Sequence, residues 1–256
     1  MPANLILHCG AAPTTEADLL ALPSVPSTKS WVPMAHSEVR REILERLHGL
    51  YTVRQERIGV TPDGHNCFGV FDLADTVAEG VALSVGWRNS TAKLFSAAMC
   101  AGINPLVCDN LLLTGDVVTF AKHTTNVRRT LPARMDAAFL TLPAWREQQT
   151  AAIETLKGVL TPDAYAHDMM VEAAARDIMP WSAIGKVHRV WTDREEVQPP
   201  QFRDQSAWSL LNAFTEYQKE RFSTNAPEAA KRSADLAGLF FERFDIRMGQ
   251  QTPEDN

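Results

Sequence analysis

Three short polar segments interrupt the apolar first half of the chain, and their side chains could bind an anion or transfer a proton. They are Trp87-Arg88-Asn89-Ser90 with Lys93, then Val107-Cys108-Asp109-Asn110, then Lys122-His123-Thr124-Thr125-Asn126. Each segment lies where the sequence predicts that a strand meets a turn or helix. Rigid scaffolds usually present ligand-contacting groups at such places. The sequence therefore predicts a binding site at the ends of strands.

The first segment predicts an anion site at a strand-to-helix junction. The amides of a first helical turn lack partners, and the helix dipole favours negative charge there. The Arg88 guanidinium and the Lys93 ammonium both suit phosphate. Capping of the helix by Asn89 or Ser90, beside two solvated cations, explains the same residues. The sequence has no glycine-rich phosphate loop, which excludes a P-loop nucleotide hydrolase.

The third segment repeats this pattern. Lys122, His123 and Asn126 precede a predicted helix that carries Arg128 and Arg129 in its first turn. Two such junctions on one sheet edge could follow a phosphate backbone. His123 is either a proton-transferring group or a buried, hydrogen-bonded spacer.

The second segment offers weak candidates for chemistry. Cys108 could form a nucleophilic pair with His123, with Asp109 assisting. A small core cysteine, and turn caps at Asp109 and Asn110, explain the residues equally well. No helix or loop places two of His65, Cys108, Asp109 and His123 at metal-site spacing, so we predict neither a metal nor another cofactor.

A late helix carries polar residues next to its apolar stripe. Trp208, Asn212 and Glu216 are spaced four residues apart, which places them on one helical face. We interpret them as structural, with Glu216 pairing to an arginine of the basic segment. A solvated face with ordinary neighbours is the alternative.

Charge argues against a protein that coats nucleic acid with its whole surface. The net charge is −6, but the stretch from Arg88 to Arg134 holds six basic and two acidic residues, a net +4. A local basic face suits a confined anionic ligand. The sequence has no apolar run of membrane-spanning length and no basic stretch before a signal-like run. Four scattered cysteines fit a reduced, cytoplasmic protein.

Periodicity predicts an α+β fold. We expect an antiparallel β-meander packed with helices, similar to a Rad52-like core, followed by a mostly helical C-terminal half. The predicted divisions are an arm (1–33), an α+β core (34–142), a helical part (143–246) and a frayed tail (247–256). Predicted strands are 51–60, 67–73, 81–87, 105–108 and 116–121. Predicted helices are 37–49, 90–101, 126–141, 144–158, 162–177, 204–222 and 227–246.

The polar segments resemble the signature blocks of the DUF932 proteins, a phage- and plasmid-like family of unknown function. The blocks are 87–90, 107–111, 122–124 and 206–217, and the resemblance spans about residues 30–220. Family members commonly read Asn-Ser-His-Asp, whereas Thr91 and Ala92 follow Ser90 here. The resemblance implies a phage or other mobile-element context and no established reaction.

The +4 segment favours a nucleic-acid-binding accessory protein of a mobile element. The predicted order of a helix, a three-strand meander and a helix resembles the core of Rad52-like annealing proteins, and this resemblance implies single-strand DNA annealing in recombination. Such a protein would form a homo-oligomer and bind single-stranded DNA through the anion-binding residues: Arg88, Asn89, Ser90, Lys93, Lys122, His123, Asn126, Arg128 and Arg129. An enzyme acting on a nucleotide or small phosphorylated ligand is one alternative. A protein that binds a host factor in anti-defence is another.

Overall fold

Strands dominate the first half of the chain and helices the second. The computed structural model describes residues 4–105, 117–218 and 226–247. The strands are β1 (Ala12–Thr14), β2 (Val53–Val60), β3 (Asn66–Ala78), β4 (Val81–Ser90), β5 (Ala97–Pro105) and β6 (Val118–Ala121). The helices are α1 (Glu16–Ala21), α2 (His36–Leu47), α3 (Val127–Gly158), α4 (Asp163–Ala175), α5 (Ile184–Thr192), α6 (Arg194–Val197), α7 (Ala207–Gln218) and α8 (Ala226–Arg243). The predicted α+β class, a meander followed by a helical half, is confirmed.

The sheet is an antiparallel meander of six strands. The strands pair in sequence order from β1 to β6. Side chains alternate between the two faces of a strand, so Val85 and Trp87 of β4 point to one face and Ser84 and Arg88 to the other. The face of Val85 and Trp87, the inner face, belongs to the hydrophobic core beneath α2 and α3. We call the opposite face the outer face.

The helix predicted over 90–101 is wrong, because β5 occupies its second half. β5 pairs with β4 from Val81↔Pro105 to Arg88↔Ala98. Its inner face buries Ala97, Met99, Ala101 and Ile103. Nearly every residue here is small or apolar, so a period of two and a helical period fit equally well. Pairing with two neighbouring strands then decides for the extended form.

One long helix, α3, replaces the two helices predicted on either side of Pro143. It has 32 residues and contains both Pro132 and Pro143. A proline removes one helical hydrogen bond and usually ends a helix. Here the helix continues because its buried stripe, which includes Met135 and Trp145, packs into the core on both sides of Pro143.

The predicted N-terminal arm contributes the first strand of the sheet. β1 pairs with β2 through Ala12↔Val60 and Thr14↔Ile58. After α1 the chain runs without regular structure to α2, which begins one residue before the predicted Ser37. The Glu38 carboxylate accepts a hydrogen bond from the Ala35 amide at 2.8 Å and so caps this helix.

Helix α7 lies at the centre of the helical half. Ten of its 12 residues are buried, Trp208 and Asn212 among them, and it packs against α3, α5 and α8. The predicted helix 162–177 corresponds to α4. The predicted helix 204–222 corresponds to α7, but its last residues fall in 219–225, which lie outside the described residues. The predicted tail 247–256 falls almost wholly in residues 248–256, which also lie outside them. No helix of the described ranges is both long and apolar enough to cross a lipid bilayer.

Candidate functional site

The first and third polar segments lie at the same end of the sheet. β4 ends at Ser90 and β6 at Ala121, and both strands flank the start of β5 at Ala97. Because both are antiparallel to β5, they run parallel to each other and finish at one end. The turns that follow them are therefore neighbours, one strand apart. The first junction leads into a turn and β5, and the predicted helix does not follow it.

A stretch of the N-terminal region joins these two turns. The Met34 amide donates to Nδ1 of His123 at 3.2 Å, and the Met34 carbonyl accepts from Nδ2 of Asn89 at 2.9 Å. Two residues earlier, the Val32 amide donates to the backbone carbonyl of His123 at 3.1 Å. The segment from Val32 to Met34 is thus hydrogen-bonded both to the end of β4, at Asn89, and to the turn after β6, at His123.

Asn89 holds His36 in one tautomer. Its Nδ2 lies 2.9 Å from His36 Nδ1 and can only donate, so Nδ1 accepts. His36 Nε2 then carries the proton and donates to the Gly64 carbonyl at 3.0 Å. Burial lowers the pKa of His36 to about 4, with smaller contributions from the charges of His123 and His65. The ring is therefore neutral at physiological pH.

His123 is also a buried, neutral side chain. It is 5% exposed, and burial lowers its pKa. Its Nδ1 accepts from the Met34 amide, so Nε2 carries the hydrogen, and Nε2 has no hydrogen-bond partner within the described structure. Of the two sequence interpretations, this geometry favours the buried spacer over proton transfer to a solvent-borne substrate.

Trp31 lies between the two turns. The Lys93 ammonium sits 4.8 Å from the centre of its indole, and the His123 ring meets it edge-on at 6.4 Å between centroids. Lys93 adopts φ +65°, which side chains other than glycine rarely do. The indole is half-buried, and the Lys93 side chain is exposed.

Exposed cations occupy the turns at this end of the sheet and the first turn of α3. We define the cationic patch as the five basic residues of these turns and their neighbours: Lys29, Lys93, Lys122, Arg128 and Arg129, all exposed. Glu38 pairs with Arg128 at 3.0 Å, and Asp63 is the other carboxylate on the adjoining turns. Five cations against two carboxylates leave this end of an acidic protein positive.

The remaining residues of the first segment have other surroundings. Arg88 points to the outer face, opposite Asn89, and its guanidinium lies 5.0 Å from the Phe95 ring centre. Burial lowers its pKa. Ser90 is buried, and its hydroxyl accepts from the amides of Ala92 and Leu94 at 3.3 Å each. Arg88 and Asn89 are therefore separated by the sheet, and Ser90 shapes the turn.

The remaining predicted residues either form hydrogen bonds within helices or lie outside the described residues. Asn126 is exposed, and its carbonyl accepts the Arg129 and Thr130 amides that open α3. Asn212 donates to the Trp208 carbonyl at 2.9 Å inside α7, and Glu216 is half-buried one turn later. Cys108, Asp109 and Asn110 lie outside the described residues. Among the residues that are described, no three His, Cys, Asp or Glu side chains could hold a metal ion.

Sequence reasoning missed Lys29, Met34 and His36 and left Trp31 without a place in the site. Met34 and His123 are 89 residues apart, and Met34 contributes backbone atoms, for which side-chain type gives no signal. Lys29 and Trp31 stand alone between prolines, without periodicity. Only the strand ends carried a local signal.

No model of a known protein family, no curated protein and no solved structure matches this chain. The resemblance to the DUF932 blocks and to a Rad52-like core therefore remains a prediction.

Proposed function

We propose that the protein binds nucleic acid through the cationic patch, as an accessory protein of a phage, plasmid or other mobile element. The observation that carries this proposal is the set of five exposed cations in and beside the turns at one end of the sheet, of which Lys93 lies 4.8 Å from the centre of the Trp31 indole. Lysine and arginine side chains bind backbone phosphates without regard to sequence. An acidic protein with one positive end binds nucleic acid at that end only.

The patch predicts modest, salt-sensitive affinity. Each phosphate that a cation neutralises releases counterions, and the logarithm of the binding constant falls by roughly 0.7 to 0.9 per contact for each tenfold rise in salt. Four or five contacts correspond to a slope of about −3 to −4.5. Arg88 is outside this count, because it points to the outer face and stacks on Phe95.

The buried histidines favour binding over catalysis. His36 uses both ring nitrogens, and His123 its Nδ1, in hydrogen bonds within the protein, and both rings are buried. These buried histidines are consistent with a protein that binds a nucleic-acid strand without reacting with it. Such a protein could, as a homo-oligomer, anneal complementary DNA strands. Annealing needs only that strands be held with their bases accessible.

Fluorescence anisotropy with labelled oligonucleotides over a salt series tests the proposal. The double variant Lys122→Glu with Arg129→Glu should weaken binding at least tenfold and flatten the salt slope. Its matched control is Lys186→Glu with Arg189→Glu, which makes the same charge change on exposed positions of α5. Equal loss in both double variants, or no binding by the unmodified protein at low salt, contradicts the proposal.

A cleft beside the patch supports a second candidate, a small phosphorylated ligand. Its volume is about 230 Å³, and Arg128, Ser37 and Thr91 line it together with Leu19 and Leu22. A thermal-shift screen with mononucleotides separates the candidates. Stabilisation by a mononucleotide that oligonucleotides do not reproduce favours the small ligand.

A further inference from the structure

Trp31 has the surroundings of a base-stacking platform. It is half-buried, so part of its surface remains accessible to a ligand. The Lys93 ammonium lies 4.8 Å from the centre of the indole, and the exposed Lys122 directly precedes His123, whose ring meets the indole edge-on. We propose that Trp31 stacks on an unpaired base and thereby makes the site selective for single-stranded nucleic acid. This inference rests on the proposed function of the patch.

The indole is held in place before any ligand arrives. The segment of chain that follows Trp31 is hydrogen-bonded through Val32 to the His123 carbonyl and through Met34 to the His123 ring and the Asn89 amide. The His123 ring also packs edge-on against the indole. His123 and Asn89 are thus positioning residues: they fix the aromatic ring and do not touch the strand. A ring already fixed loses little further freedom on binding.

Lys93 occupies the ring face that a base would take, and the exchange favours the base. An exposed cation on an indole contributes roughly two- to fivefold to an equilibrium, whereas a base stacked on an aromatic side chain contributes roughly 5- to 150-fold. Lys93 is exposed. When a base displaces its ammonium, the ammonium remains beside the strand and can pair with a phosphate.

A duplex offers no free base face on which the indole could stack. Their bases are stacked on one another inside the helix, so no base face is free without unpairing. Phosphate contacts alone remain, and these are equal in kind for single and double strands. The single-strand preference should therefore come from Trp31, and the salt slope from the cations.

The test uses the full chain with labelled oligothymidylate, oligouridylate, an abasic strand of the same length and a duplex. Trp31→Ala should weaken binding of the base-bearing strands 5- to 150-fold without changing the salt slope, and Trp31→Phe should retain most of the affinity. Binding of the duplex and the abasic strand should change by less than twofold. Trp181→Ala is the matched control, because Trp181 is 59% exposed in the helical half.

Each outcome has a distinct meaning. If Trp31→Ala binds oligothymidylate and oligouridylate as tightly as the unmodified protein, the stacking inference is overturned, while the patch survives if the Lys122→Glu and Arg129→Glu variant loses binding. If Trp31→Ala fails to fold, the affinities of the unmodified protein for the abasic and base-bearing strands still test the inference. Equal affinity for the abasic and base-bearing strands overturns the inference. A difference between the two base-bearing strands tells whether DNA or RNA is preferred.

Discussion

Asn89 donates a hydrogen bond from Nδ2 to Nδ1 of His36 at 2.9 Å, inside the protein and across 53 residues of sequence. The bond requires a neutral imidazole, because a protonated Nδ1 would present a hydrogen to the amide hydrogens of Asn89. Asn89, which the sequence predicts as an anion-binding residue, therefore connects the sheet to the start of α2 through a buried hydrogen bond. It also makes the fold sensitive to acid.

His36 predicts a loss of stability in mild acid. Its pKa is lowered from 6.5 to about 4 in the folded protein, chiefly by burial. The unfolded chain therefore binds more protons between these values, and the free energy of unfolding falls as pH drops through this window. The full effect below pH 4 is about 3 kcal/mol. Urea denaturation at several pH values measures it.

The His36→Gln variant isolates this contribution, since glutamine can accept from Asn89 and donate to Gly64 without titrating. Its stability should change less between pH 7 and pH 4 than that of the unmodified protein. The pKa of His123 is also lowered, but His123 is present in both proteins, so its contribution cancels when their two pH profiles are compared. Parallel pH profiles for the two proteins would show that His36 is not the responsible group.

Gly69 is required by the indole of Trp87, its partner on β4. A Cβ atom at position 69 would overlap the Trp87 ring, which packs directly on the glycine backbone. Gly69→Ala should therefore lower the free energy of unfolding by at least 1–3 kcal/mol, roughly the range for overpacking. Chemical denaturation followed by circular dichroism measures the loss.

The control for this substitution is Gly238→Ala. Gly238 lies inside α8, and a Cβ there would meet nothing within 4 Å. Alanine should stabilise that helix by about 0.5–1 kcal/mol. A similar effect at both glycines would contradict the packing explanation.

Asp72 organises a buried polar cluster on the outer face. Its carboxylate forms an ion pair with Arg57 and accepts from the Ser84 hydroxyl at 2.6 Å and the Asn104 amide at 3.2 Å. Asp72→Asn removes the charge that balances a buried guanidinium, so the free energy of unfolding should fall by about 3–5 kcal/mol. A urea titration detects this loss.

A surface pair provides the comparison. Arg41 and Glu45 are both about 60% exposed and lie 3.6 Å apart. Exposed pairs of this kind contribute little, so Glu45→Gln should change stability by less than about 0.5 kcal/mol. If Asp72→Asn proves equally mild, the outer-face cluster does not stabilise the fold as described.

Lys93 carries backbone strain that glycine would relieve. Its φ of +65° costs a non-glycine residue about 1–2 kcal/mol, while its contact with Trp31 returns about 0.5–1 kcal/mol. Lys93→Gly should therefore leave the melting temperature unchanged or raise it slightly. Ala92→Gly, one residue earlier in the same turn, should lower stability by about 0.4–1 kcal/mol. Destabilisation by both changes would argue against strain at Lys93.

Local patterns predicted most of the elements. Val39, Ile43 and Leu47 recur at helical spacing and are buried in α2, and the predicted strand over 81–87, which is rich in β-forming residues, is the buried strand β4. The helix predicted over 90–101 failed for a physical reason: with small or apolar side chains at nearly every position, neither the strand period nor the helical period stands out. The two helices predicted around Pro143 failed for a related reason, since burial along the whole of α3 outweighs the bond that a proline removes.

The amino-acid sequence by itself determined the class of the fold and the exposure of the cations that follow β4 and β6. Periodicity, turn residues and charge act over about ten neighbouring residues, and all of these can be read from one stretch of chain. The tertiary structure alone decided that Asn89 and His123 face inward, that Arg88 lies on the other face, and that Trp31 stands between Lys93 and His123. Those relationships join backbone and side-chain atoms from 53 to 92 residues apart. Hydrogen bonds across such separations form only after the sheet has brought its ends together, and no local pattern records them.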